Sequence, residues 1–173
     1  METRDYPRLE AVLKEFADEL GYNYADTIER NGHNASRALS KAAADPGLHR
    51  IEVERDGYLV VFDLPSYWKY IEHGTRPHWP PHDAIRRWID IKPVIPRPDK
   101  RGRIPSPESL TYLIRRKIAA VGTEGTGDLA AARDRTLPWW MDRIREAFAA
   151  DLQEDLDEVL LKGIGGRVIE GRL

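Results

Sequence analysis

The segment HRIEVERDGYLVVFDL, residues 49–64, decides the fold class. Asp56-Gly57 favours a tight primed turn, whose twist matches that of paired strands. Before it, Ile51 and Val53 alternate with Arg50, Glu52 and Glu54, so one face of that strand is wet. After it, Tyr58–Leu64 is apolar on both faces except at Asp63, so this strand is expected to be the more buried. A lone hairpin is marginal in water. This one must gain a helix on its apolar face, further strands, or strands from a neighbouring subunit. Helical patterns on either side make the expected class α+β: a small antiparallel sheet built on a central hairpin, packed by several helices, with an extended proline-rich basic arm.

On the N-terminal side, Leu9, Val12, Leu13, Phe16, Leu20 and Ile28 recur at three- and four-residue steps, which predicts a helix over 7–30. Asp5 can cap it and Pro7 suits its first turn. Gly21 is a weak point, costing about 1 kcal/mol against Ala, and Asn31-Gly32 ends the helix. A shorter helix is expected over 35–44, capped by Asn34 and stopped by Asp45-Pro46-Gly47.

On the other side lies YWKYIEHGTRPHWPPHDAIRRW, residues 67–88. Ser66 is the expected N-cap of a short helix with Tyr67, Tyr70 and Ile71 on one face. Gly74 follows His73 where a chain leaving a helix often needs a left-handed residue. Pro77, Pro80 and Pro81 forbid helix through the bend, and Ile85, Trp88 and Ile89 form the apolar face of the next helix, 83–91. The plain reading is a helix–loop–helix corner of a core.

A second reading comes from likeness. An aromatic-rich short helix ending in E-x-G-T-R, then P-P-x-x-A-I-x-x-W, resembles the neck and tail-completion proteins of long-tailed bacteriophages. It is most similar to the minor tail-component family of lambdoid phages. The matching residues are Tyr67, Tyr70, Ile71, Glu72, Gly74, Thr75, Arg76, Pro80, Pro81, Ala84, Ile85 and Trp88. The likeness runs on through Lys92, the basic loop and the segment AAVGTEGT, 119–126; the outer thirds match in helix placement only. It implies a structural virion protein of the head–tail junction, made in the host cytoplasm. Such a protein forms a homo-oligomeric ring, a hexamer by preference because tail tubes of this class are sixfold. Its neighbours would be the head-closure or connector ring and the tail-tube proteins, with DNA only passing through the lumen. Neither catalytic residues nor a cofactor are implied.

Residues 93–107, PVIPRPDKRGRIPSP, carry five prolines and read as an extended arm. Residues 97–117 hold seven Lys/Arg against Asp99 and Glu108. Ser106-Pro107-Glu108 opens a helix with Leu110, Leu113, Ile114 and Ile118 on its apolar side. VGTEGTGD, 121–128, reads as a flexible joint. Residues 137–162 read as the last long helix, with Met141, Ile144, Phe148, Leu152, Leu156 and Val159 as its stripe. Within it, residues 142–158 hold seven acids against two Arg. The glycine-rich tail 163–173 is expected to be loose, and it and the acidic helix are long against the family pattern. The organisation is thus one domain over 1–173: helices in 1–47, hairpin and helix–bend–helix in 48–92, arm in 93–107, helices in 108–162, then the tail.

Opposite charge runs often mean only two solvated faces. Their alternative is contact across copies, with Arg97, Lys100, Arg101 and Arg103 of the arm facing Asp151, Glu154, Asp155 and Glu158 of the last helix. A nucleic-acid-binding reading uses the same arm with Trp79, Trp88 and Tyr112.

Composition narrows the chemistry. Hydrophobic content of 41% and charged content of 32% fit a globular chain with a solvated surface. A net charge of −2 gives no global pull toward nucleic acid or membrane. With no cysteine there is no disulfide, thiolate metal site or thiol nucleophile. No apolar run reaches the roughly 20 residues of a membrane span, and METRDYPRLE lacks the apolar stretch of a signal peptide. His73, His78 and His82 are separated by prolines and lack the spacing of a metal helix. GTEGTG lacks the Lys-Ser/Thr of a phosphate loop. Glu52, Glu54 and Asp63 read as the wet side of the hairpin, not as a nuclease centre.

Overall fold

The computed structural model describes residues 6–33, 36–55, 57–92, 94–98 and 102–165. Its elements are α1 (Pro7–Arg30), α2 (Ala38–Ala43), a 3-10 turn (Pro46–Leu48), β1 (His49–Glu54), β2 (Gly57–Phe62), α3 (Trp68–His73), β3 (Gly74–Thr75), α4 (His82–Ile91), α5 (Pro107–Val121), β4 (Thr123–Glu124) and α6 (Asp128–Gly165). The class is α+β: a two-stranded antiparallel sheet packed by several helices.

The hairpin forms, but not in the register that an Asp56-Gly57 turn implies: His49 lies opposite Phe62 through Glu54 opposite Gly57, so Gly57 is the first residue of β2, without the positive φ of a primed turn. Helix α1 covers its inner face, which carries Ile51, Val60 and Phe62. Strand β2 keeps Val60, Val61 and Phe62 half-buried, while β1 beyond Ile51 is exposed. Leu59 and Val61 face outward beside Glu52 and Arg50.

The main scaffold is an antiparallel pair, α1 against the first two thirds of α6. Cross-links run along its whole length. Asn31 donates to Asp128 (2.8 Å), Asn23 to Thr136 (2.9 Å), Trp140 Nε1 to Glu19 (3.1 Å) and Arg143 to Glu15 (2.7 Å). At the far end the Tyr6 ring meets Phe148 edge-on at 5.4 Å. Between the helices and the sheet lie Phe16, Leu20, Tyr24, Ile28, Leu39 and Trp140. Each large apolar side chain buried there contributes about 1.5–3 kcal/mol. Burial pushes the Tyr24 hydroxyl up, and the nearby carboxylates of Glu72 and Asp128 push it the same way, so it stays neutral.

Several expectations are corrected. The last helix begins at Asp128, not at 137, and runs through Pro138. Proline suits a first turn, but here Ala132 and Thr136 before it and Trp140 after it are all buried, and packing holds the helix through the missing amide. At 1.5 Å per residue α6 is about 57 Å long. It therefore overhangs α1, and Leu156, Val159, Leu160 and Leu161 stand exposed beyond the end of the pair. Helix α2 is shorter than predicted, and its N-cap is Arg37 in a left-handed conformation. Gly21 is not merely a weak point. A Cβ there would stand 2.2 Å from the Ala43 carbonyl and 2.4 Å from the His49 ring, so glycine lets α2 and β1 close on α1. Helix α3 starts at Trp68 without a Ser66 cap, and this phase turns Trp68 and Ile71 inward while Tyr67 and Tyr70 are exposed. Helix α4 buries no residue fully, and Trp88 lies near its surface under Lys92. The caps read at Asp5 and Asn34, the turn residue Asp56, the arm residues Lys100 and Arg101, and the tail beyond Gly165 lie outside the described residues.

Candidate functional site

The motif stretch 67–88 builds a clasp. Gly74 leaves α3 with φ +75°, and β3 pairs with β4, Gly74 opposite Glu124 and Thr75 opposite Thr123. A Cβ on Gly74 would stand 2.2 Å from the Thr123 carbonyl oxygen. The two threonine hydroxyls lie 3.0 Å apart. The segment 121–128 is therefore a docked strand and turn, not a flexible joint. Its Thr126 amide donates to the Ile71 carbonyl (2.9 Å) and its Gly127 amide to the Glu72 carbonyl (3.2 Å).

Glu72 closes the clasp. It is only 6% exposed, and its carboxylate accepts the amides of Leu129 (2.9 Å) and Ala130 (3.0 Å). These are orphan donors of the first turn of α6, at the positive end of the helix. The E-x-G-T pattern thus joins α3, the glycine exit and the start of α6 in one unit. Pro80 is buried, and its carbonyl accepts Arg115 Nε at 2.8 Å, which ties the bend to α5. Arg76 and Pro81 are exposed, and Ile85 is half-buried.

The three histidines do not converge. His73 is tilted against the Trp68 ring, His78 Nδ1 donates to the Arg76 carbonyl, and His82 bridges Asp83 (3.1 Å) and Glu108 (3.0 Å). The His82 imidazole is pushed up by its bond to Asp83 and then by Glu108. Among the described residues no group of three His, Cys, Asp or Glu side chains is placed to hold a metal ion. No helix among them is long and apolar enough to cross a membrane. Arg50 pairs with Glu52 on its own strand and with Asp63 just past β2.

Helices α4 and α5 pack on each other and carry the basic surface. Residues 76–117 hold eleven Lys/Arg against four Asp/Glu. Trp79 and Tyr112, both half exposed, meet edge-on at 6.3 Å. Arg115 lies over the first ring at 5.0 Å and Arg116 over the second at 6.0 Å. The described residues of the arm, 94–98 and 102–106, belong to no helix or strand. Arg97 and Arg103 are exposed, and so are Ile95 at 90% and Ile104 at 68%.

The acidic surface is smaller than expected. Asp151 is 3% exposed and belongs to the fold. Its carboxylate accepts the Leu9 amide (2.9 Å) and Arg8 (3.1 Å), capping the start of α1. Glu154 also takes Arg8 (2.6 Å), and Glu158 pairs with Lys162. Glu154 and Glu158 are exposed and Asp155 half-buried, and with Pro7 and Asp151 they line a shallow acidic hollow of about 210 Å³.

A larger, apolar cleft of about 420 Å³ opens between β2, α3 and α6 above α1, lined by Phe16, Leu20, Val60, Phe62, Trp68 and Leu137 among others. Nothing in the sequence pattern marks it, because its walls come from four separate elements. No protein-family model, curated protein or solved structure matches the chain.

Proposed function

We propose that this chain is a structural subunit of a tailed-phage head–tail junction, a neck or tail-completion protein that closes into a homo-oligomeric ring, sixfold by preference. The ring would join the tail to the capsid connector and let DNA pass through its lumen. The phage assignment rests on the likeness of residues 67–88 to that family. The mode of assembly rests on charge segregation. With a net charge of −2 over the chain and eleven Lys/Arg against four acids in 76–117, the remaining residues carry a net −9.

A two-fold contact at either pole would set like charge on like. A head-to-tail contact sets opposite charges together, and head-to-tail contacts generate rings when the rotation closes. Light scattering and electron microscopy of the purified protein test this. Discrete rings are expected, and deletion of Arg97–Arg103 should leave a folded protein that no longer forms them. Unchanged ring size in the deletion removes the arm from the interface.

The exposed Trp79–Tyr112 pair under Arg115 and Arg116 favours a second reading, single-stranded nucleic-acid binding by stacking and phosphate contact. That reading requires DNA retention that falls steeply with salt. Rings that retain no DNA exclude it.

A further inference from the structure

Neither edge of the hairpin pairs with a further strand among the described residues, but only the β2 edge has an apolar cleft beside it. The Asp63 amide donates to the Leu48 carbonyl at 2.8 Å, so by antiparallel alternation Arg50, Val61, Glu52 and Leu59 face one another across the ladder. The backbone groups of Ile51 and Val53 on β1, and of Val60 and Phe62 on β2, therefore turn outward. On the β1 side Lys14 Nζ reaches the His49 carbonyl at 3.0 Å, and α1 runs close by. On the β2 side no further strand pairs among the described residues, and the apolar cleft lies against that edge. An open edge beside an apolar cleft is a template for an added strand.

The arm has the matching form. Residues 94–98 belong to no helix or strand and bear the most exposed large apolar side chain in the described chain, Ile95, and Pro96 and Pro98 bias the residues before them, Ile95 and Arg97, toward extended backbone. Ile95 and Arg97 keep their N–H groups on one edge of such a strand. Pro96 and Pro98 fall on the other edge, where neither can donate. This segment can pair on one side only, so an added strand would end the sheet instead of extending it.

We propose that Val94–Pro98 of one copy adds as a third, antiparallel strand to β2 of the next, with Ile95 opposite Val60 and seated in the cleft. Arg97 then lies opposite Tyr58. That end of β2 is near the start of α1, where the Tyr58 hydroxyl accepts the Tyr6 amide. It is also the end at which Asp151 and Glu154 of α6 meet Arg8. Glu154, Asp157 and Glu158 are exposed there and Asp155 is half-buried, so the basic arm approaches a surface of opposite sign. The inference rests on the ring reading above and names its contact.

Hydrogen exchange followed by mass spectrometry, on assembled and on dilute full-length protein, tests it together with the Ile95→Asp variant. In the assembled protein the 57–64 peptide should exchange at least about tenfold more slowly than in the dilute protein, as new ladder bonds form. Ile95→Asp should stay monomeric with an unchanged melting curve, because that side chain touches little within its own copy. If rings form while the 57–64 peptide exchanges as in the monomer, or if Ile95→Asp assembles like the parent, the strand addition is wrong and the ring reading stands. A chain that stays monomeric at every concentration overturns both.

Discussion

Replacing Glu72 by Ala removes the carboxylate that caps α6 and leaves the Leu129 and Ala130 amides without an acceptor in a mostly buried site. Hydrogen bonds to a charged group contribute about 1.5–3 kcal/mol each. Loss of a helix N-cap costs about 0.5–2 kcal/mol. The two bonds serve one helix end, and the cleft beside Glu72 lets water reach part of it, so the sum of two full bonds is too high. The expected loss is about 2–3 kcal/mol, which for a chain of this size lowers Tm by about 4–12 °C. Glu72→Gln keeps one oxygen acceptor but loses the charge at the positive helix end, and should cost about 1 kcal/mol. Urea unfolding followed by circular dichroism and by tryptophan fluorescence measures both, and Trp68 on the same short helix reports the local change. An Ala variant within about 0.5 kcal/mol of the parent would refute the capping role, since surface substitutions commonly fall in that range.

Gly74→Val should abolish cooperative folding or cost upward of about 3 kcal/mol, since both the +75° φ and the 2.2 Å approach of the Thr123 carbonyl exclude a side chain; a parental melting curve refutes it. Asp151→Ala should lower stability by about 1–2 kcal/mol through the lost α1 cap, whereas Glu154→Ala, an exposed partner of the same Arg8, should stay within about 0.5 kcal/mol. Equal melting temperatures for the two variants would contradict that division. His82 titrates above the ordinary histidine value, so its bridge to Asp83 and Glu108 is fully present below that value and is lost as pH rises through the raised one. An imidazole NMR titration should place its midpoint above that of His82 in a Glu108→Gln variant, and coincident midpoints would dismiss the bridge.

Local signals were legible in the chain, and long-range ones were not. The hairpin was legible from a turn signal next to an alternating strand, although Gly57 proves to be the first residue of β2 and not a turn centre, and α1 follows from its apolar stripe. The cap at the start of α5 follows from Ser106-Pro107-Glu108, where the Ser106 hydroxyl accepts the Ser109 amide. Glu72 was visible only as part of a motif, because the amides it caps lie 57 and 58 residues further on and Pro138 misplaced the start of their helix. Asp151 read as one acid among seven on a solvated face, since its partners sit 142 and 143 residues away. The β3–β4 ladder is two residues long, below the length at which alternation can be recognised. The need for glycine at position 21 depends on the approach of Ala43 and His49, which no helical pattern encodes.

The pairing of Gly74–Thr75 with Thr123–Glu124 has a consequence for how such a chain can diversify. Everything between those two points leaves and returns through one doorway, so its length and content are decoupled from the threading of the rest. A replacement cassette of different size, or a short turn in its place, needs to present two ends a strand-spacing apart, about 5 Å, and forgoes the bond from Lys92 Nζ to the Gly32 carbonyl at 2.7 Å. The host scaffold then keeps its wiring while the segment carrying α4 and α5 is exchanged.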